Sequence, residues 1–406
     1  VHSDCWALER IPHTAYAEPS GEAVDHYRRY EEDIKLLAGA GLNAYRFSIE
    51  WARIEPEEGK FDEAEVEHYR NMIRCCKENG VEPMVTLHHF SSPAWLITKG
   101  GWEWEGVADC FQRYCRYVME RLGEELTYVC TINEANIRLQ IAGIMKRYML
   151  QAQQAAQNPE AALQMGMNMK ALMEQQQLAA VEGAAAFGLA DPQGVHVFQS
   201  PCTPEGDAII CRAHEAARAA IREVCPQVKV GLTLSFHDLQ PQPGAEDTAA
   251  REWDKEFRHY LPCIKGDDFL GVQNYTRSLL GPGGLLPTPE GAELTQAGYE
   301  YYPQGLEHVI RAAAADFKGE LFVTENGIAT ADDTRRQAFI RTALEGVQRC
   351  VADGIPVKGY FHWSLLDNFE WQKGYDMTFG LIAVDRSTQK RTVKPSLELL
   401  GSYCPR

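Results

Sequence analysis

The chain lacks what would carry it into a membrane. No stretch approaches the run of about 18 to 20 apolar residues that a spanning helix needs. The opening residues Val1-His2-Ser3-Asp4-Cys5-Trp6 hold no apolar signal-peptide core. Basic residues are also short, with 40 Lys and Arg against 57 Asp and Glu and a net charge of −17. That balance disfavours nucleic acid and anionic membranes as partners and favours neutral or cationic ligands. The twelve cysteines include no C-x-x-C pair: Cys75 and Cys76 are adjacent, and Cys110 and Cys115 stand too far apart for a knuckle. They read as reduced core thiols of a cytoplasmic protein, with neither a metal site nor a disulfide frame. A G-x-G-x-x-G turn is missing, which argues against a dinucleotide-binding sheet, and no cofactor is expected. Internal repeats and linkers are absent as well, so residues 1–406 read as one domain.

What the chain does have is alternation. Short apolar runs at Asn43–Ile49, Pro83–Phe90, Thr127–Glu134, Val228–Ser235, Phe269–Tyr275, Leu321–Glu325 and Gly359–Leu366 read as strands. Between them, Tyr27–Ala40, Glu63–Asn79, Val107–Leu122 and Asp207–Val224 carry helical apolar periodicity. Strand–helix alternation without hairpin signals predicts parallel strands joined by crossover helices, and seven such strands favour a (β/α)8 TIM barrel. Polar residues gather toward the C-terminal ends of six strands: Arg46, His88, His89, Asn133, Glu134, Tyr275, Glu325 and Asp367. That end is the catalytic face of such a barrel. One such residue is easily a satisfied strand-end hydrogen bonder; eight together point to a site.

Two of them are glutamates placed where a buried strand runs out, Glu134 in T-I-N-E-A-N and Glu325 in V-T-E-N-G. A carboxyl group there is desolvated enough to have its pKa moved and can still face a cleft. Two that meet in space can divide acid and nucleophile roles, as glycosidic bond cleavage requires. One segment stands apart: residues 145–178 hold six of the ten methionines, many glutamines and few charges. It reads as helices packed on the barrel or as a pliable apolar roof over the outer cleft.

Further motifs follow in order: H-Y-R-R-Y-E-E-D-I (26–34), N-A-Y-R-F-S-I-E-W-A-R-I-E-P (43–56), T-L-H-H-F (86–90), G-G-W (100–102), T-I-N-E (131–134), T-E-N-G (324–327) and F-H-W-S-L-L-D-N-F-E-W (361–371), then G-Y, F-G-L and V-D. In this order and spacing the chain resembles glycoside hydrolase family 1, the β-glucosidase family, over almost its whole length. The resemblance implies a retaining β-glycosidase acting on small β-glucosides and on β-galactosides or β-fucosides. It implies Glu325 as nucleophile, kept ionised and oriented by Arg46 and Tyr275, and Glu134 as acid/base. It further implies sugar contacts from Asn133 to the 2-hydroxyl, His89 to the 3-hydroxyl, Glu370 to the 4- and 6-hydroxyls and the Trp371 indole N–H, over a Trp363 floor. Bland readings stand beside these: Trp363 as core, His88 as a structural neighbour, Arg53 with Glu50 as an ion pair or solvated face, Asp367 as a turn cap.

The chain departs from the family pattern in four places. Ala135 stands where a proline follows the acid/base, Gln273 where an asparagine precedes the tyrosine motif, and Thr378 where an arginine precedes F-G-L. The first family strand, ending in Gln-x-Glu-Gly, has no counterpart, and the chain does not open with Met. The expectation is therefore a barrel incomplete at its N-terminus, from truncation or with another segment filling the gap. Its seam should lie between Asn43–Ile49 and Gly359–Leu366, and no glutamine should stand beside His89. Two alternatives to the glycosidase reading remain: a catalytically impaired sugar-binding protein, and a 6-phospho-β-glycosidase, which acidic Glu370 opposes. The sequence carries no signal for an oligomeric state.

Overall fold

The computed structural model describes residues 2–145 and 169–404. Seven parallel strands form one sheet: β1 (Ala44–Ser48), β2 (Glu82–His88), β3 (Tyr128–Ile132), β4 (Lys229–Ser235), β5 (Phe269–Gln273), β6 (Glu320–Asn326) and β7 (Val357–His362). Their spatial order is their chain order, and every ladder is parallel. Helices α1 (His26–Gly39), α2 (Glu63–Glu78), α3 (Val107–Leu122), α4 (Pro204–Val224), α5 (Gly305–Asp316) and α6 (Asp333–Ala352) pack outside. The four predicted helices are all present, within three residues at either end.

Local chemistry explains the helices. In α3, Val107, Phe111, Tyr114, Cys115, Val118 and Leu122 recur at three- and four-residue steps and are all buried against the strands. The Asp62 carboxylate caps α2 by accepting from Ala64 N and Glu65 N, and Asp332 caps α6 at Thr334 N. Alternate strand residues such as Val85, Val129, Leu232, Val272 and Val323 face these helices and are fully buried. Each such side chain contributes about 1.5–3 kcal/mol by leaving water.

The inside of the barrel is graded. Met84, Cys130, Phe269 and Phe322 fill its lower end, with Tyr128 and Phe361 packed against them. Above them the lining turns polar, with Thr86, Thr233 and Thr324 all buried. Gly271 of β5 makes room for this layer: a Cβ there would stand 2.5 Å from Thr233 Cγ2 and 2.8 Å from Thr324 Oγ1.

Among the described residues the sheet stops short of closure: β1 pairs only with β2 and β7 only with β6, leaving the expected seam between them. A cavity of about 390 Å³ opens there, lined by Tyr45, Phe47, Tyr360, Phe361 and His362, with α1 beneath through His26 and Leu37. The N-terminal residues do not form a strand in it. They make a short helix, Asp4–Leu8, tied to the loop after β2 through Asp4 N to Ser92 O at 2.9 Å and Ala94 N to His2 O at 2.8 Å.

Three expectations need correction. The strand expected over Phe269–Tyr275 ends at Gln273, where a register shift against β6 takes Asn274 and Tyr275 out of the regular ladder. The strand expected over Gly359–Leu366 starts at Val357 and ends at His362, because the chain then turns away and Leu366 bridges to Ile382. Hairpins are also present: Ile382–Val384 pairs antiparallel with Arg391–Val393, and Arg277–Gly281 with Gly284–Leu285 beside Asp238–Pro241. The latter turns at Gly281-Pro282-Gly283-Gly284, a turn signal overlooked in so short a pairing. Of the methionine-rich segment, Met169–Leu178 lies in the helix Met169–Ala186, while residues 146–168 fall outside the described residues.

Candidate active site

Strand ends and the loops after them bring the predicted residues together at the C-terminal face. Glu325 is the sixth residue of β6, and its carboxylate takes two donors: Arg46 Nη1 at 2.8 Å to Oε1 and the Tyr275 hydroxyl at 2.7 Å to Oε2. A guanidinium and a phenol O–H are donors of the kind that stabilise a carboxylate. Arg46 projects from the middle of β1, and its Nη2 reaches Asn133 Oδ1 at 2.5 Å. Asn133 follows β3 and is fully buried, with its Nδ2 3.3 Å from His89 Nε2.

Glu134 stands one residue further, with a left-handed backbone at φ 45°. Phe90 (φ 67°) and Trp371 (φ 45°) on neighbouring loops share this uncommon conformation. Such backbone conformations cost of order 1–3 kcal/mol each and persist only where the surroundings over-determine them. Here Glu134 N donates to Thr233 Oγ1 at 3.0 Å, and Asn136 ties the same loop to β4 through Ser235 O at 2.7 Å and Ser235 N at 2.9 Å. The Glu134 carboxyl is pushed up to about 8, first by burial and then by the charge of Glu325, with Glu370 adding to it and Ser235 and Arg46 opposing.

His89, Trp363, Glu370 and Trp371, on the loops after β2 and β7, lie close together beside the two glutamates. His89 lies nearly parallel to Trp363 with ring centroids 5.6 Å apart, and 6.3 Å from Trp371. Burial, then the positive charge of Arg46, holds His89 well below the ordinary histidine range, so it is a neutral ring able both to accept and to donate. Burial and Glu325 push Glu370 up to about 7, while a hydrogen bond from the Trp363 side chain works against the rise. Its Oε2 is buried with no partner among the described residues. An unpaired buried acceptor costs about 1–3 kcal/mol, which a ligand hydroxyl would recover.

The remaining polar strand-end residues are structural. His88 donates or accepts at Ser92 Oγ at 3.0 Å inside a cage of Trp102 and Phe198, and burial lowers it to about 3. Asp367 holds Lys394 Nζ at 2.8 Å and accepts from Gly380 N at 2.8 Å. The Arg53–Glu50 pair is not formed: Arg53 lies 3.7 Å from Glu65 and over the Tyr27 ring, whereas Glu50 accepts from Ser91 Oγ at 2.7 Å. Glu50 is half-buried and lines the cavity at the seam, whereas Arg53 is exposed.

Sequence reasoning missed four participants. Thr233 and Gln273 lie on β4 and β5 and contact Asn133 directly; Ser235 touches the Glu134 carboxyl. Tyr299, in the loop before α5, has a buried hydroxyl with no partner among the described residues and feels the charges of Glu370 and Glu134. The first three share the strand-end position of the residues that were found. Tyr299 had no such signal, because its loop carries no periodicity. Among the described residues no group of three or more His, Cys, Asp or Glu is placed to hold a metal ion. No helix among them is long and apolar enough to cross a membrane.

Comparison with known proteins agrees with this geometry. The family model described as glycosyl hydrolase family 1 matches residues 3–170 and 287–403. The β-glucosidase of Agrobacterium sp. is 30% identical over 442 residues, spanning 96% of this chain and 86% of that protein. The 1,4-β-D-glucan glucohydrolase of Thermotoga neapolitana is 28% identical over 423 residues, spanning 92% and 85%. Among solved structures, the β-glycosidase BGL167 is 45% identical with a TM-score of 0.87, covering 100% of this chain and 92% of its own.

Proposed function

Because the chain belongs to glycosyl hydrolase family 1, and is thus an O-glycoside hydrolase, we propose that it cleaves small β-glucosides, and β-galactosides or β-fucosides, with retention of configuration. The observation that carries this is the asymmetry of two carboxyl groups in one cleft. Glu134 is raised to about 8 and holds a proton at neutral pH, while Glu325 is gripped by Arg46 and Tyr275. In the first step a Glu325 oxygen attacks the anomeric carbon, the glycosidic C–O bond breaks, and Glu134 gives its proton to the departing oxygen. Esterification removes the Glu325 charge, one of the two main causes of the Glu134 shift. Glu134, now an easier proton to lose and hence a carboxylate, takes a proton from water. The hydroxide equivalent attacks the anomeric carbon and the ester bond to Glu325 breaks. Two inversions give net retention.

The glycone would lie over Trp363, with Asn133 donating to the 2-hydroxyl and His89 to the 3-hydroxyl. The buried, unpartnered Glu370 Oε2 fits a 4- or 6-hydroxyl donor, with the Trp371 indole N–H beside it. Residues 1–406 act as one catalytic domain in this reading, and a small β-glycoside is its partner. A phosphate at the 6-position would meet Glu370, so the 6-phospho-glycosidase reading is not favoured; faster turnover of a 6-phosphorylated aryl glucoside would reverse that choice. The impaired sugar-binding reading predicts glucoside binding with no turnover at any pH.

The deciding experiment is hydrolysis of an aryl β-glucoside by Glu325→Gln. Turnover should fall by on the order of 10⁴-fold. A variant as fast as the parent would remove Glu325 from the role of nucleophile.

A further inference from the structure

We propose that Gln273 is a positioning residue that, together with Thr233, fixes the amide of Asn133 so that its N–H₂ faces the sugar; this rests on the glycosidase reading above. Asn133 Oδ1 is ringed by donors. Arg46 Nη2 stands at 2.5 Å, Gln273 Nε2 at 2.8 Å and Thr233 Oγ1 at 3.2 Å. A flipped amide would press its N–H₂ against a guanidinium and a second N–H₂, donor against donor, with no acceptor in reach but the Thr233 hydroxyl. The Asn133 nitrogen is thereby turned to His89 Nε2 at 3.3 Å and to the cleft.

Gln273 enters this arrangement as a donor. Its Nε2 also lies 3.3 Å from Thr233 Oγ1, while its own Oε1 is buried with no partner among the described residues. Asn133, Thr233 and Gln273 are each fully buried and form a row across the ends of β3, β4 and β5. Thr233 links the row to the acid/base as well, because its Oγ1 accepts from Glu134 N at 3.0 Å, at the residue whose backbone is left-handed. An uncompensated Oε1 inside a buried network is a standing cost. A residue kept only for packing would not need it: methionine has nearly the same shape and leaves no acceptor unpaired.

The test uses the full chain, an aryl β-glucoside and its 2-deoxy counterpart. Gln273→Met should lower kcat/KM by about 10-fold on the glucoside, the size expected from one lost hydrogen bond to a positioned group. The fall should sit mainly in kcat, it should shrink on the 2-deoxy substrate, and it should vanish when added to Asn133→Ala. Equal losses in the parent and Asn133→Ala backgrounds, or no loss at all, would overturn the proposal. The glucoside reading is judged separately: Asn133→Ala losing the same factor on both substrates would remove the 2-hydroxyl contact, yet the coupling between positions 133 and 273 on the glucoside would still decide the role of Gln273. Should Gln273→Met fail to fold, Gln273→Glu keeps the test open. Its protonated carboxyl can donate in place of the amide, so its rate relative to the parent at the same pH should be highest at low pH and fall as pH rises. A ratio independent of pH would overturn the proposal.

Discussion

Strands β3 to β5 and the pair β7 and β1 are drawn from similar residues, yet they differ in how water reaches them. Every residue of β5 is buried, as are all but the first of β3 and all but the two ends of β4. No residue of β1 or β7 is buried as a whole, backbone and side chain together, although these strands carry Tyr45, Phe47, Tyr360 and Phe361. Composition does not make the difference; the neighbour does. Among the described residues the inner strands have a ladder on both edges, and β1 and β7 each have one. The site is divided the same way. Asn133 and Glu134 are held by the closed arc, whereas Trp363, Glu370 and Trp371 stand on the segment that follows seam strand β7. Arg46 joins the two: from seam strand β1 it reaches Glu325 on β6 and Asn133 after β3, so a side chain spans where backbone pairing does not.

The largest effect should come from removing the acid held by the closed arc. Glu134→Ala should slow glycosides with poor leaving groups by on the order of 10²–10⁴-fold. Activated nitrophenyl glycosides should still form the ester and then stall, with azide restoring turnover as the β-glycosyl azide. Equal losses on both substrate types, with no azide product, would make Glu134 structural. In the parent enzyme, the rate on poor leaving groups should decline as pH rises through about 8, because the proton that Glu134 delivers is lost there. A flat profile from pH 6 to 9 would contradict the assignment.

Next is the residue that crosses the seam. Arg46→Met should cost on the order of 10²–10³-fold in kcat/KM. It should also destabilise the fold by about 3–5 kcal/mol, since the Arg46 and Glu325 side chains are each only 6% exposed and Glu325 would keep the Tyr275 hydroxyl but lose its ion-pair partner. Denaturant midpoints unchanged from the parent would mean that Arg46 serves chemistry alone.

Hydrogen exchange reads the comparison directly. Seam-facing amides of β1 and β7 should exchange roughly 10²-fold or more faster than those of β4 and β5. Equal protection in both regions would mean that the seam is closed in solution. The smallest effect is expected at the loop residue that sequence did not signal. Tyr299→Phe should raise KM for β-glucosides by about 3- to 10-fold, with little change in melting temperature, if its buried hydroxyl meets substrate. An unchanged KM would show that the hydroxyl points at nothing the substrate carries.

Legibility in the sequence followed the length of the pattern. Helices such as Val107–Leu122 repeat their apolar positions over several turns and were read to the residue. Strand ends were read less well, since Gln273 and His362 stop their strands through a register shift and a turn toward Ile382. The two cleft glutamates were legible because each closes an apolar run. Their support was not: Thr233, Gln273 and Ser235 lie on strands distant in sequence, and nothing in a linear pattern says which strand-end residues share a layer.

Strand–helix alternation and the two glutamate motifs, then, were determined by the sequence itself, because periodicity and strand-end position are local properties. The sequence points to a seam, but its consequence belongs to the tertiary structure, which alone sets how far β1 and β7 stand apart and what bridges them. The difference in environment between Glu134 and Glu325 was likewise decided there. Both are glutamates with the same intrinsic acidity, and only burial, mutual charge and the donors that reach each one make Glu134 keep its proton to about 8.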